Sequence, residues 1–280
     1  MGRLEMDTIV KAVDHLPSLP HIVVQVIELT EDHNSTAQDI NNVLNQDQGM
    51  TASVLKLANS AYYGFPRRIS TVTDAIVLLG FRTVRSIVMA ASVSDILNQD
   101  IEAYALEPGE LWRHSQTSAM AARAIAKKAK FPALDLAYTG ALLHDIGKVV
   151  LNDFLKQDYH KVIELVEHDG ITFMEAEDKV LGFNHALVGA KVAEKWNLPA
   201  ELVEAIQHHH IPEKAEVNQK LTAIVHLADF ISISMGIGIG IDGMLQSVSS
   251  EPIEILNLNQ LDIEKIISDL TDSIADEQSF

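Results

Sequence analysis

The chain has 280 residues, 47% hydrophobic and 21% charged. That is enough apolar material to bury a core and too much for a disordered chain. Lys plus Arg number 21 against 39 Asp plus Glu, a formal charge of −18, so repulsion argues against nucleic acid or an anionic membrane as the main partner. Cysteine is absent, which excludes disulfides, thiolate metal sites and cysteine nucleophiles and leaves His and carboxylate as the donors for any transition metal.

Along the chain, Met1–Asp7 has no apolar run and is not a secretory signal; the expected location is cytoplasmic. Ile22, Val23, Val26, Ile27 and Leu29 recur at helical spacing. Ser35-Thr36 opens a second helix with Ile40, Val43 and Leu44 on one face, and Met50, Val54, Leu55 and Ala58 continue the pattern. Thr73-Asp74 begins another run, followed by one through Val84, Ile87, Val88, Ala91 and Ile96. Glu107-Pro108-Gly109 is a loop, with Pro108 expected in the first turn of a helix through Trp112, Ser115, Ala119 and Ile125. Pro199 opens a later helix that Pro212 closes, and the tail beyond about residue 272 is expected to fray. Ile224–Leu245 is apolar but holds His226, Asp229 and Asp242, so no membrane span is read there. The fold class is all-α: a multi-helix bundle with an N-terminal helical subdomain over residues 1–105 and a second helical subdomain over 106–280.

Twelve histidines are many for this length, and their placement is informative. In Leu142-Leu143-His144-Asp145-Ile146-Gly147-Lys148, imidazole and carboxylate neighbours can reach one cation. Lys148 falls on the face of His144, where its ammonium could hold a phosphate, and Gly147 admits a second backbone. His114 belongs to a small, apolar face and is expected to turn inward. His185 stands at a helix start. In His208-His209-His210, face arithmetic turns His209 and His210 inward and leaves His208 on a wet side with Glu201 and Glu204. Asp229 sits on an otherwise buried helix and needs a partner. Five inward histidines and two aspartates on separate helices can build a one- or two-metal site; the alternative is that neutral histidines hydrogen-bond the aspartates directly. The run Gly236-Ile237-Gly238-Ile239-Gly240 lacks the strand and helix of a dinucleotide loop.

His114, His144-Asp145 and Asp229, in that order, resemble the HD superfamily of metal-dependent phosphohydrolases. Leu16-Pro17-Ser18-Leu19-Pro20, Leu57-Ala58-Asn59-Ser60-Ala61-Tyr62-Tyr63-Gly64, Ile69-Ser70-Thr71-Val72 and Ala75-Ile76-Val77-Leu78-Leu79-Gly80 resemble the HDOD domain, an HD-related output module of bacterial signal transduction, over about residues 8–240. The resemblance implies an all-helical fold and a signalling role, in a family many of whose members are thought to have lost metal ligands. It also implies a mononuclear site of His114, His144, Asp145 and Asp229. His185, His209 and His210 occupy the place of a second metal in the related HD-GYP phosphodiesterases, with Asp145 as the bridge, but the Gly-Tyr-Pro motif is missing.

The function expected is a regulatory binding module with a retained site for one or two divalent ions (Fe, Mn, Ni or Zn). Its partners would be signalling proteins or a small nucleotide or phosphoester. The alternative is a metal-dependent phosphohydrolase in which Asp145 bridges or orients the nucleophilic water and Lys148 neutralises the phosphoryl group. A nucleotide sensor without hydrolysis lies between the two. Tyr62–Pro66 reads as a packing turn, and Arg67, Arg68, Arg82 and Arg85 as a solvated face.

Overall fold

The computed structural model describes residues 8, 11, 13, 16–60, 63, 68–240 and 251–277, and among these the chain is helical, with no strand beyond an isolated bridge between Ile101 and Leu106. The chain divides into two compact units, Leu19–Asp95 with Lys265–Phe280, and Met1–Ser18 with Ile96–Glu264. No helix among the described residues is long and apolar enough to cross a membrane.

The first of these units begins with α1 (His21–Glu31), α2 (Ala37–Leu44), α3 (Gln48–Ala58) and α4 (Val72–Leu79), followed by α5 (Phe81–Leu97). Each short helix buries one stripe: Val23 and Val26 on α1, Ile40 and Leu44 on α2, Val54 and Ala58 on α3, Ala75 and Ile76 on α4. Each fully buried Val, Ile or Leu among them contributes about 1.5–3 kcal/mol, and α5 adds Val84, Ile87, Val88 and Val93 to the same class. Helix starts are set by side-chain caps. Thr36 and Asp39 form a capping box, Asp47 accepts from Met50 N–H, and Thr71 accepts from Asp74 N–H, which moves the start of α4 one residue ahead of Thr73, to Val72. The Asn59 amide holds both backbone groups of Ile69, at 2.7 and 2.8 Å. Of the Tyr62–Pro66 turn only Tyr63 is described; the other four residues, and Arg67, lie outside the described residues.

The second unit carries α6 (Glu110–Lys128), α7 (Leu134–Leu143), α8 (Ile146–Asp169), α9 (Phe173–Val180), α10 (His185–Lys195), α11 (Ala200–His208), α12 (Gln219–Ser234) and α13 (Glu251–Ile255). Helix α14 (Gln260–Glu277) closes the chain. Helices α6, α7 and α12 pack on one another, α11 packs on α7, α10 and α12, and α8 packs on α9 and α10. Pro108 does not enter α6: the chain turns at Gly109 (φ 84°), whose N–H donates to Asn98 O, and the helix begins at Glu110. The expected frayed tail is helical through Glu277. Lys195 Nζ donates to Val13 O and Leu16 O, and Trp196 Nε1 to Pro17 O, so the Leu16-Pro17 segment is tied to the end of α10.

Candidate metal centre

His144 and Asp145 occupy the break between α7 and α8: His144 is the C-cap of one helix and Asp145 the N-cap of the next. The first turn of α8 then lies directly against the first turn of α10. A Cβ on Gly147 would stand 2.0 Å from His185 O and 2.6 Å from Gly189 N, so only a glycine permits this crossing. The crossing brings His185, the first residue of α10, to Asp145. His114 comes from the second turn of α6, Asp229 from α12, and His209 and His210 from just past the end of α11.

All seven predicted donors converge. The nearest ligand atoms of His114, His144 and Asp229 lie within 4.8 Å of one another, as do those of His185, His209 and His210, and of His144, Asp145 and His209. His114 Nε2 is 3.1 Å from Asp229 Oδ1 and 3.3 Å from His144 Nε2. Asp145 stands between the two groups. Its Oδ2 is 3.4 Å from His144 Nε2 and 3.6 Å from His114 Nε2, while its Oδ1 is 3.6 Å from His185 Nε2 and 3.9 Å from His209 Nε2. His185 and His210 face each other Nε2 to Nε2 at 2.9 Å.

Four rings are oriented by their other nitrogen. Nδ1–H of His144 donates to Ala141 O (2.6 Å), that of His209 to Ile206 O (2.7 Å), that of His114 to Ile237 O (3.1 Å) and that of His185 to Glu177 Oε2 (2.7 Å). A carbonyl can only accept, so Nδ1 carries a proton and Nε2 is turned inward, a lone pair in the neutral ring and a second N–H donor in the protonated one. His144 and His209 use one device: each closes its helix and bonds the carbonyl three residues back, one of those left over at a helix end. His114 relies on the glycine-rich segment after α12. Gly238 (φ 57°) passes so close that a Cβ there would be 2.7 Å from His114 Cβ and Glu110 O. That run is therefore a strap over His114.

These residues fit a metal. Metal-ligating histidines regularly donate the second ring N–H to a carbonyl or carboxylate. Asp145 Oδ1 and His209 Nε2 are buried with no hydrogen-bond partner, acceptors that want a cation. Electrostatics divide the centre. Burial works against a charge on His144, yet Asp145 and Asp229 raise its pKa to about 9. Burial, followed by the neighbouring imidazoles, lowers His210 to about 3 and holds His209 well below its usual value. Burial would raise Asp145, but His144 and Lys148 keep it well below the carboxylate range, and hydrogen bonds from His114 and His144 do the same for Asp229. A proton can thus stand in for a cation beside Asp229; in the other group burial opposes a charge on His185 but Glu177 and Asp145 raise its pKa, so only His209 and His210 refuse the proton.

Lys148 Nζ is 2.6 Å from Asp145 Oδ2 and buried. Two assignments from sequence need correction. Glu204 is not on a wet side: it is 9% exposed and accepts the backbone N–H groups of Glu216, Val217 and Asn218 at 2.6–2.7 Å, because the chain returns over α11 there. His208, placed with it on that side, is only half-buried. Sequence reasoning missed Glu177 and Tyr104, whose hydroxyl donates to Glu177 Oε1.

The sequence profile of the HDOD domain matches residues 16–212. An HDOD domain protein of unknown function from Geobacter sulfurreducens has a similar structure, at 26% identity and a TM-score of 0.76, covering 98% of this chain and 97% of that one. A candidate phosphohydrolase from Shewanella amazonensis SB2B aligns at 25% identity and a TM-score of 0.73, covering 94% and 93%. An uncharacterised protein of Treponema pallidum (strain Nichols) is 25% identical over 224 residues, 79% of this chain; the chain spans 43% of that relative's length. With the profile covering most of the chain and the fold all-helical, the chain belongs to the HDOD domain family.

Proposed function

We propose that this HDOD domain is a regulatory signalling module whose core holds one or two divalent cations (Fe, Mn, Ni or Zn), and that its partner is a signalling protein or a small nucleotide or phosphoester. The observation that carries this reading is seclusion. His114, His144, Asp145, Lys148, His185, His209 and Asp229 are each at most 5% exposed, and of the donor set only His210 is half-buried. A centre walled in to that degree suits a cation that organises the surrounding helices better than one that meets a bulky phosphoester.

His114, His144 and Asp229 with Asp145 Oδ2 would hold one ion, and His185, His209 and His210 with Asp145 Oδ1 the other. The bound cation supplies Lewis acidity and the positive charge that inward-turned acceptors require. The chain's own groups do the rest. Lys148 holds the Asp145 carboxylate between the two donor groups, and the Nδ1–H bonds keep the rings from rotating.

A second reading, a metal-dependent phosphohydrolase, is favoured by the Asp145 carboxylate shared between two histidine groups, an arrangement suited to two-metal chemistry. The Shewanella relative, a candidate phosphohydrolase, points the same way. The two readings separate in one experiment. The chain is purified without chelators, its metals are measured by elemental analysis, and nucleotides and a model phosphodiester are offered with added Mn, Fe, Ni or Zn. Bound metal without turnover is expected. Turnover lost in His144→Ala moves the assignment to the hydrolase. No metal after purification and none after reconstitution overturns both.

A further inference from the structure

The segment joining α5 to α6 looks like a linker in sequence, yet it buries a polar side chain beside the centre. Ile101 and Leu106 pair as a short bridge around the 3₁₀ turn Glu102–Tyr104. Asn152 of α8 pins that turn: its Oδ1 accepts the Ala103 N–H at 3.1 Å and its amide donates to Asp100 O at 3.4 Å. Tyr104, fully buried, stacks 5.3 Å from Phe173, meets the His185 ring edge-on at 6.3 Å and lies 5.5 Å beneath the Lys148 ammonium. Its hydroxyl donates to Glu177 Oε1. Glu177, also fully buried, accepts the His185 backbone N–H at 3.0 Å and its ring Nδ1–H at 2.7 Å on Oε2.

A buried carboxylate is costly, and capping the first N–H of α10 does not by itself call for one, since a neutral acceptor serves a helix start as well. Asn184 already caps the helix through the Leu187 N–H. The second Glu177 oxygen is taken by the tyrosine, which locks the carboxylate plane against the imidazole. His144, His209 and His114 are oriented by backbone carbonyls; of these four rings, His185 is the one oriented by a charged side chain. Carboxylates in this position raise the basicity of a ligating imidazole as well as fixing its ring.

We propose that Tyr104 and Glu177 form a positioning pair for one half of the metal centre: Glu177 holds His185 Nε2 toward Asp145, His209 and His210, and Tyr104 holds Glu177. This rests on the metal-centre reading above. It assigns the pair to the His185 half and leaves the His114–His144–Asp229 half independent of it.

The test uses the whole chain, stripped with chelator and titrated with Co(II), with visible absorption and elemental analysis as readouts and thermal unfolding in parallel. His185→Ala and His114→Ala identify the two uptake steps. Glu177→Gln, which keeps an acceptor but removes the charge, is expected to weaken the His185-dependent step by about 10–100-fold, and Tyr104→Phe to weaken it less. The His114-dependent step stays unchanged in both. Tyr104→Phe removes a single oxygen, so it decides alone if Glu177→Gln does not fold. Unchanged affinity at the His185-dependent step overturns the pair while the metal centre stands. Equal weakening of both steps marks a merely structural role and also overturns it. Uptake of one equivalent that needs His114 but not His185 overturns it as well. A wild-type chain that takes up no cobalt overturns the metal centre itself, and the pair with it.

Discussion

At Gly147 a single hydrogen atom decides whether the centre can assemble. The His185 carbonyl occupies the place a β-carbon would need, and both atoms belong to backbone that cannot rotate away. Gly147→Ala is therefore expected to destabilise the chain by at least about 3 kcal/mol, at or beyond the usual range for overpacking, and to abolish cation uptake. Thermal unfolding and elemental analysis of the same preparation check both effects; a folded, metal-competent alanine variant would contradict the crossing. Residue by residue, the donors differ in how legible they are in sequence. His144 and Asp145 announce themselves by adjacency, and His209 and His210 by their place against Leu202 and Ile206. Glu177 does not, because between Ala176 and Lys179 it reads as the polar side of an ordinary amphipathic helix. Tyr104 stands in irregular chain where no period exists to test. The carbonyls of Ala141, Ile206 and Ile237 orient three rings and carry no residue signature at all.

At the scale of elements, helices are readable where an apolar stripe coincides with a start signal, a capping box at Thr36 or the proline before α11 at Pro199. What periodicity does not report is which neighbouring chain covers a helix. Glu204 shows this: spacing sets it on the side of α11 with Glu201, but residues 216–218 fold back over it. Burial pushes the Glu204 pKa up, the three amides outweigh it, and the carboxyl ends below its usual 4.5. A depressed carboxyl pKa contributes stability that is complete above the unfolded value and lost as pH falls through the folded one. Glu204→Gln is thus expected to cost about 1–3 kcal/mol at neutral pH, with the gap from wild type closing as pH drops below 4.5. Denaturant melts at several pH values measure it; a gap that stays constant into acid would remove the charge from the account.

For the molecule as a whole, the metal-free chain has a titration signature of its own. The His144 pKa is raised to about 9, so its contribution is full below the unfolded value of 6.5 and fades as pH rises toward 9. His209 and His210 are lowered, so the unfolded chain gains protons that the folded chain refuses as pH falls below 6.5. Stability of the chelated chain is expected to peak near neutral pH and to decline on both sides. Loading with metal, which replaces protons at the same nitrogens, should raise the melting temperature and flatten the alkaline limb. Calorimetry with and without chelator across pH 5–9.5, about the range these groups span, tests this. An alkaline limb equally steep with metal bound would contradict it.

The half-buried His210 gives the two donor groups unequal doors to solvent. Where ligands are sealed, the swap of one zinc isotope for another waits on local breathing of the protein, not on the strength of the bonds. The group that includes His210 borders water, whereas the one under the Ile237 strap does not. Isotope exchange should consequently be biphasic, with the quicker phase belonging to the His210 side and the slower one to the His114 side; a single phase would contradict the difference in burial.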